Sequence, residues 1–209
     1  MYVPAFNAID ERAARGFVDE VASGWLVTGS PDGPPAATLM PIMWHDDTIV
    51  AHMAKANRHW RAIADGTPGL IIVSGPEAFI SPSWYPAKAE HGKVVPTWNY
   101  VAVHLTGTVR VHHEPDWLLD AVTRLTDRHE QQMATRWRVS DAPDDYVAGQ
   151  LKAIVGIEMR VEQVDGKAKL SQNRSTADQA GVVEGLRATD GAAAAWMADA
   201  IQANLDAPD

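Results

Sequence analysis

A chain of 209 residues, 46% hydrophobic and 22% charged, carries enough apolar material for one globular domain with additions, or two small ones. It has no cysteine, which excludes disulfides, thiolate metal sites and a cysteine nucleophile. A formal net charge of -9, from 18 Lys and Arg against 27 Asp and Glu, argues against the phosphate neutralisation on which direct duplex binding depends.

The opening stretch MYVPAFNAIDERAARGF has early acids and no long apolar run, so it does not read as a signal peptide. No segment reaches the apolar length of a membrane span, and a cytoplasmic location is expected. Asp10 to Ala22 sets Ala13, Ala14, Phe17, Val18 and Val21 on one helical stripe. Trp25 to Gly29 reads as a strand and Pro31-Asp32-Gly33 as its turn. Ala37 to Trp44 and Thr48 to Ala54 are two more strands joined at His45-Asp46-Asp47, which makes a meander. Asn57 has the character of an N-cap for a short helix through Ala64, ended by Gly66. Leu70 to Val73 is a continuous apolar run and predicts a central strand covered on both faces.

Phe79 to Tyr100 shows neither period. It holds two Trp, two Tyr and several prolines around Ala89-Glu90-His91-Gly92-Lys93, and a long loop with so many rings must bury them against something. Val101 to Val111 then alternates cleanly and predicts a strand with one apolar face. Glu114 to Gln132 is a helix with Leu118, Leu119, Val122 and Leu125 on one stripe, and Asp144 to Ala153 is another. Ile154 to Val164 reads as a strand, and helices over Ser175 to Arg187 and Asp190 to Leu205 close the chain. An antiparallel barrel with attached helices is the simplest architecture, and the strand-helix alternation of a dinucleotide fold is missing.

No glycine-rich fingerprint, phosphate loop or Gly-x-Ser-x-Gly elbow occurs. His45, His52 and His59 recur every seven residues, but they fall in a turn, a strand and a helix without a carboxylate motif. Ordinary polar positions are the better reading than metal ligands. His112-His113-Glu114 reads as a solvated turn at a strand-to-helix junction.

Three segments carry candidate chemistry. His52 to Trp60 passes from a strand end to a helix start, with Lys55, Arg58 and His59 where a phosphate would be welcome; a capped helix with solvated cations is the alternative. Ser83-Trp84-Tyr85 and Pro96 to Tyr100 offer rings and amides to a flat ligand, or fill the core or a subunit interface. Lys167 to Arg174 is a polar, cationic link between a strand and a helix, or a surface loop ending at a cap.

Together these segments resemble the PaiB-type FMN-binding negative regulator family of the flavin-binding split-barrel superfamily. The resemblance rests on Met1-Tyr2-Val3-Pro4, HMAKANRHWR (52–61), ISPSWYPAKAEHGKVVPTWNYVAVH (80–104), KLSQNR (169–174) and the run from Asp178 to Leu186. It implies a mainly β fold with attached helices (α+β), a split β-barrel of the FMN-binding type with a C-terminal helical extension. Residues 1–165 would form the barrel with its inserted helices, and 166–209 the KLSQNR loop and the closing helices. It further implies a homodimer with FMN in a cleft at the subunit interface. Lys55, Asn57, His59 and Trp60 would sit near the flavin phosphate. Ser83, Trp84, Thr97, Trp98 and Asn99, with Lys169, Ser171, Gln172, Asn173 and Arg174, would approach the ring or ribityl chain. Lys93, Lys169 and Arg174 are the cations on offer beside the ring's N1 and C2 carbonyl. No catalytic residue is singled out. The implied function is a regulator-type FMN protein with flavin-dependent redox chemistry on a small molecule. The alternatives are a haem-binding or haem-degrading protein with His91 as axial ligand, and a DNA-binding repressor, which the charge disfavours.

Overall fold

The computed structural model describes residues 1–30 and 33–206, so Pro31 and Asp32 of the expected first turn lie outside the described residues. In chain order the elements are β1 (Ala8–Ile9), α1 (Glu11–Val21), β2 (Ser23–Thr28), β3 (Ala36–His45), β4 (Thr48–Ala54) and β5 (Thr67–Ile80). There follow α2 (Ala87–His91), β6 (Thr97–His112), α3 (Pro115–Glu130), α4 (Asp144–Leu151), β7 (Ile154–Lys169), α5 (Thr176–Arg187) and α6 (Ala192–Leu205). The strands form one sheet in the order β1-β7-β4-β3-β2-β5-β6, and β6 pairs again with β7. This is the split barrel with attached helices, and every pairing of stated register is antiparallel.

The chain divides into two compact units, and the division falls inside α1, β5, β6 and β7. One holds Arg15–Val73 and His104–Val164; the other holds Met1–Ala14, Ser74–Val103 and Asp165–Asp209. The expected boundary at 165/166 thus lies beside one edge of the division, and the second unit also gathers the N-terminal stretch and the aromatic segment.

In the first unit the barrel closes on inward-facing apolar residues. Leu26, Met40, Ile42, Ile71, Leu105, Val109, Ile157 and Met159 are all buried. Burying such side chains is worth about 1.5–3 kcal/mol each, the main term holding the barrel shut. The β6–β7 closure is tight: a Cβ on Gly107 would lie 1.8 Å from the Arg160 carbonyl oxygen. The Thr108 hydroxyl donates to Glu162 Oε1 across the same seam (3.2 Å). α3 lays Trp117 on Gly156, where a Cβ would meet the ring at 2.0 Å, and the indole stacks on His112 at 4.1 Å. His112 therefore lies beneath a helix rather than in a solvated turn.

The outer face of β2, β3 and β5 departs from the usual polar exterior of an antiparallel barrel. Trp25 pairs with Leu39 on one side and Ile72 on the other, and Val27 pairs with Ala37 and Leu70. Trp25 and Leu39 are 45% and 52% exposed. Leu70 to Val73 thus lies in a longer strand between β2 and β6, but the expected cover on both faces is corrected: Ile71 and Val73 are buried, while Leu70 and Ile72 lie half-buried on the apolar outer face.

In the second unit the aromatic segment is more regular than its sequence suggests. Phe79 and Ile80 end β5, and Thr97 to Tyr100 begin β6. Between them, Ser81 caps a 3-10 turn over Pro82–Trp84, and α2 ends at Gly92 in the left-handed region (φ 68°). β7 runs to Lys169 instead of stopping at Val164, because Gly166 and Lys167 pair with Ile9 and Ala8 of β1. α5 and α6 bury Val182, Val183, Leu186, Met197 and Ile201.

The helix expected from Asn57 to Ala64 is corrected to a five-residue 3-10 turn, Arg58–Ala62. Asn57 is its cap as expected, but the side chains that follow bond to strands and not along a helix axis. No helix of the described residues is long and apolar enough to cross a membrane.

Candidate functional site

The first unit contributes the turn after β4. Asn57 Oδ1 accepts from the His59 backbone N–H (3.1 Å), and Asn57 Nδ2 donates to Thr38 Oγ1 (3.0 Å). The His59 ring lies between two hydroxyls, 2.9 Å from Thr28 Oγ1 at Nε2 and 2.9 Å from Thr38 Oγ1 at Nδ1. Both nitrogens are occupied and the ring is buried, so a neutral imidazole suits the site: one nitrogen donates and the other accepts. Burial pushes its pKa below the ordinary 6.5. Trp60 Nε1 donates to the Lys55 carbonyl (3.1 Å), which pins the other side of the turn.

Asn57, His59 and Trp60 therefore spend their polar groups on shaping the turn. Lys55 and Arg58 stand apart, and neither forms an ion pair among the described residues. A clamped turn that carries two unpaired cations suits a phosphate dianion. The donor set fits that end of FMN.

His52, on β4, is likewise held below 6.5 by burial. A group with a depressed folded pKa stays neutral while the unfolded chain takes up a proton. The stability tied to it is complete above about pH 6.5 and is lost as pH falls toward the folded value. Each such histidine contributes a slope of at most about 1.4 kcal/mol per pH unit. Urea unfolding at intervals from pH 7.5 to about 5 should show stability falling below pH 6.5, with a shallower fall in His59→Gln. A flat profile would contradict a buried neutral His59.

The second unit brings the aromatic segment and the 167–174 segment together. The Asn99 side chain is fully buried; its Nδ2 donates to Ser171 Oγ (2.9 Å), and its Oδ1 has no protein partner. Ser171 adopts φ 66°, a conformation that costs a non-glycine residue roughly 1 kcal/mol, and Arg174 N–H closes the turn on the Ser171 carbonyl (2.9 Å). Gln172 folds back, accepting from Leu170 N–H (2.7 Å) and donating to the Ala168 carbonyl (2.6 Å). Lys169 Nζ donates to Thr97 Oγ1. Arg174 lies 4.9 Å from the centre of the Tyr85 ring. Burial raises the Tyr85 phenol above its ordinary 10.0, against the opposing pull of Arg174.

The remaining expected residues also lie in the second unit. Ser83 Oγ accepts from Lys88 Nζ (3.1 Å). Trp84 rests on α5, where a Cβ on Gly185 would lie 2.3 Å from its ring and one on Gly181 2.1 Å from its carbonyl. Trp98 is exposed and meets Phe79 edge to face at 6.0 Å, and Asn173 is exposed. His91 Nδ1 accepts from Lys93 N–H (3.0 Å) on the exposed α2. No group of three or more His, Asp or Glu with metal-binding geometry occurs among the described residues.

Thr28 and Thr38 escape sequence reading, and Asp178 enters it only as the first residue of a matching run, without a role. The two threonines sit inside ordinary strand patterns, and only their register beside His59 gives them a role. Asp178 is buried, and its Oδ1 accepts from Ala87 N–H (3.1 Å), tying the start of α2 to α5. Its position three residues after the capping Ser175 is the only trace of this in the sequence.

Residues 1–163 match the family model described as "Putative FMN-binding domain". The chain is 32% identical over 210 residues to protease synthase and sporulation protein PAI 2 of Bacillus subtilis, covering 98% of each chain. The FAD and heme binding protein from Mycobacterium smegmatis superposes with a TM-score of 0.60 at 16% identity, over 82% of this chain and 77% of that one. The flavocytochrome Anf3 from Azotobacter vinelandii gives 0.57 at 13% identity, over 76% and 67%. At such identities these structures share the fold alone. The family model over residues 1–163 and the match over nearly the full length of the Bacillus protein together show that this chain belongs to the FMN-binding split-barrel family of the PaiB type, and FMN is its cofactor.

Proposed function

We propose that the protein works as a homodimer whose FMN carries out redox chemistry on a small molecule. When bound, FMN supplies reversible electron and hydride transfer, and the protein supplies position and charge. Lys55 and Arg58 neutralise the flavin phosphate, while Asn57, His59, Thr28 and Thr38 hold the turn that presents them. Thr97, Lys169 and Arg174 are the groups that the family resemblance offers to the ring and ribityl chain, and Trp98 with Phe79 offers an exposed aromatic edge. The apolar outer face of β2, β3 and β5 is the surface proposed to pair with a second copy. The regulatory role implied by the family resemblance would then follow the flavin's state, since a net charge of -9 opposes direct contact with DNA.

The observation that carries the phosphate assignment is the pair of unpaired cations on the clamped turn. Lys55→Ala should weaken FMN by about tenfold to a hundredfold, the usual worth of a charge-assisted contact. Riboflavin, which lacks the phosphate, should change by less than about twofold. Equal losses for both ligands, measured by flavin fluorescence quenching, would remove Lys55 from the phosphate site. For the redox reading, FMN-loaded protein freed of excess ligand should bleach in its visible flavin band with NADH or NADPH and recover in air. A band that no donor bleaches would leave a flavin-binding protein without this activity.

A further inference from the structure

We infer that Lys167 and Lys169 form the positive side of an anion subsite, one that takes a phosphate or carboxylate group of a small molecule. This goes beyond the flavin reading and does not rest on it, because it starts from an unbalanced charge.

Lys167 is only 9% exposed, yet it has no ion pair among the described residues. Its ammonium makes one hydrogen bond, to the Tyr2 carbonyl at 3.4 Å, the long end of the useful range. Its other near neighbour is the Tyr100 ring, 5.2 Å from Nζ to the centroid. An ammonium offers three donors, and a buried one is normally paired or fully hydrogen-bonded. The ammonium therefore keeps donors that an anionic ligand could accept from.

Lys169 strengthens the case. Two residues apart on a strand, the side chains share one face and stand roughly 7 Å apart by strand rise. Lys169 donates to the Thr97 hydroxyl and also has no carboxylate partner. Asp165, next on the same face, is already paired with the Met1 ammonium (2.7 Å). Two cations side by side repel each other unless an anion lies against them. In so acidic a chain, leaving both without a carboxylate is the arrangement expected of a site that receives its negative charge from outside.

The test uses the full chain carrying Lys55→Ala, which weakens the other proposed phosphate site and leaves only Arg58 there. Its thermal midpoint is followed against inorganic phosphate, with chloride holding ionic strength constant. Phosphate should raise the midpoint, because a ligand that binds only the folded state stabilises it. Lys167→Met should move the response to at least tenfold higher phosphate, and Lys169→Met should do likewise. Lys167→Arg should keep it within about threefold. Should Lys167→Met fail to fold, Lys167→Arg and Lys169→Met still decide. No midpoint shift with phosphate, or an unchanged response in the methionine variants, would overturn the subsite.

The source of the anion is read separately with Lys55 intact. If Lys167→Met weakens FMN but spares riboflavin, the cofactor's own phosphate is the occupant. If both flavins bind as before while the phosphate response is lost, the occupant is a second, anionic molecule. Failure of the flavin reading would appear as no retained flavin, whatever phosphate does to the midpoint.

Discussion

Gly107→Ala should destabilise the protein by roughly 3 kcal/mol or more, the upper end of overpacking costs. The added methyl would lie 1.8 Å from the Arg160 carbonyl oxygen, 2.8 Å from its carbon and 3.2 Å from the Val161 Cα. All three are backbone atoms of β7, so no side chain can swing aside. The two strands must separate at the seam that closes the barrel, with loss of ladder hydrogen bonds and exposure of neighbours such as Leu105 and Val109, both now fully buried. For a chain of this size each kcal/mol moves the melting midpoint by about 2–4 °C, so a fall of roughly 6–12 °C is expected. Gly149 gives the contrast: it lies in α4, exposed, with nothing within 4 Å of where a methyl group would stand, and Gly149→Ala should gain up to about 1 kcal/mol of helix propensity. Parallel thermal melts check both, and a Gly107→Ala protein as stable as wild type would show that the seam is looser than described.

Trp25→Glu should turn a dimer into a monomer at micromolar concentration. Trp25 stands at the centre of an apolar patch, with Leu39 and Ile72 as its direct cross-strand neighbours and Val27, Ala37 and Leu70 one step along. Buried aromatic anchors of this kind carry about 2 kcal/mol or more in interfaces, and a carboxylate in their place must also be stripped of water. Together these effects should weaken association by at least about a hundredfold. Inside the barrel the strand keeps Leu26, so the fold itself should survive, as circular dichroism would confirm. Sedimentation velocity decides the matter. A monomeric wild type, or a variant that sediments with the wild-type dimer, would leave the patch without its proposed partner.

Much of the fold is legible in the sequence where one period dominates. β4 is bounded by Thr48 and Ala54 as its pattern predicts, and the alternation after Val101 lies within β6. The departures have physical causes. The stretch after Asn57 has the cap and composition of a helix, but His59 and Asn57 find better partners on neighbouring strands, and only a short turn forms. β7 extends through Gly166 and Lys167 because a two-residue strand pairs with it, and such short pairings leave no period to read. The candidate chemistry is legible as three segments, one in the first unit and two that meet in the second, and not as individual roles. Lys55 is available as its charge suggests, whereas His59 is occupied on both nitrogens, a fact set by Thr28 and Thr38 from distant strands. Lys167 shows its interest only through burial, which no local pattern reveals.

The contact between Trp84 and α5 has an evolutionary reading. The indole occupies the volume that a side chain at Gly185 would need, and the backbone of the same residue fills the space above Gly181. Positions 84, 181 and 185 therefore cannot drift independently: a larger residue at 185 requires a retreat of the ring, one at 181 a retreat of the backbone, and a smaller ring leaves a hole over Gly185. Among divergent relatives, the three should behave as a single inherited character, and a chain that changes one of them should also have rebuilt the path between β5 and β6.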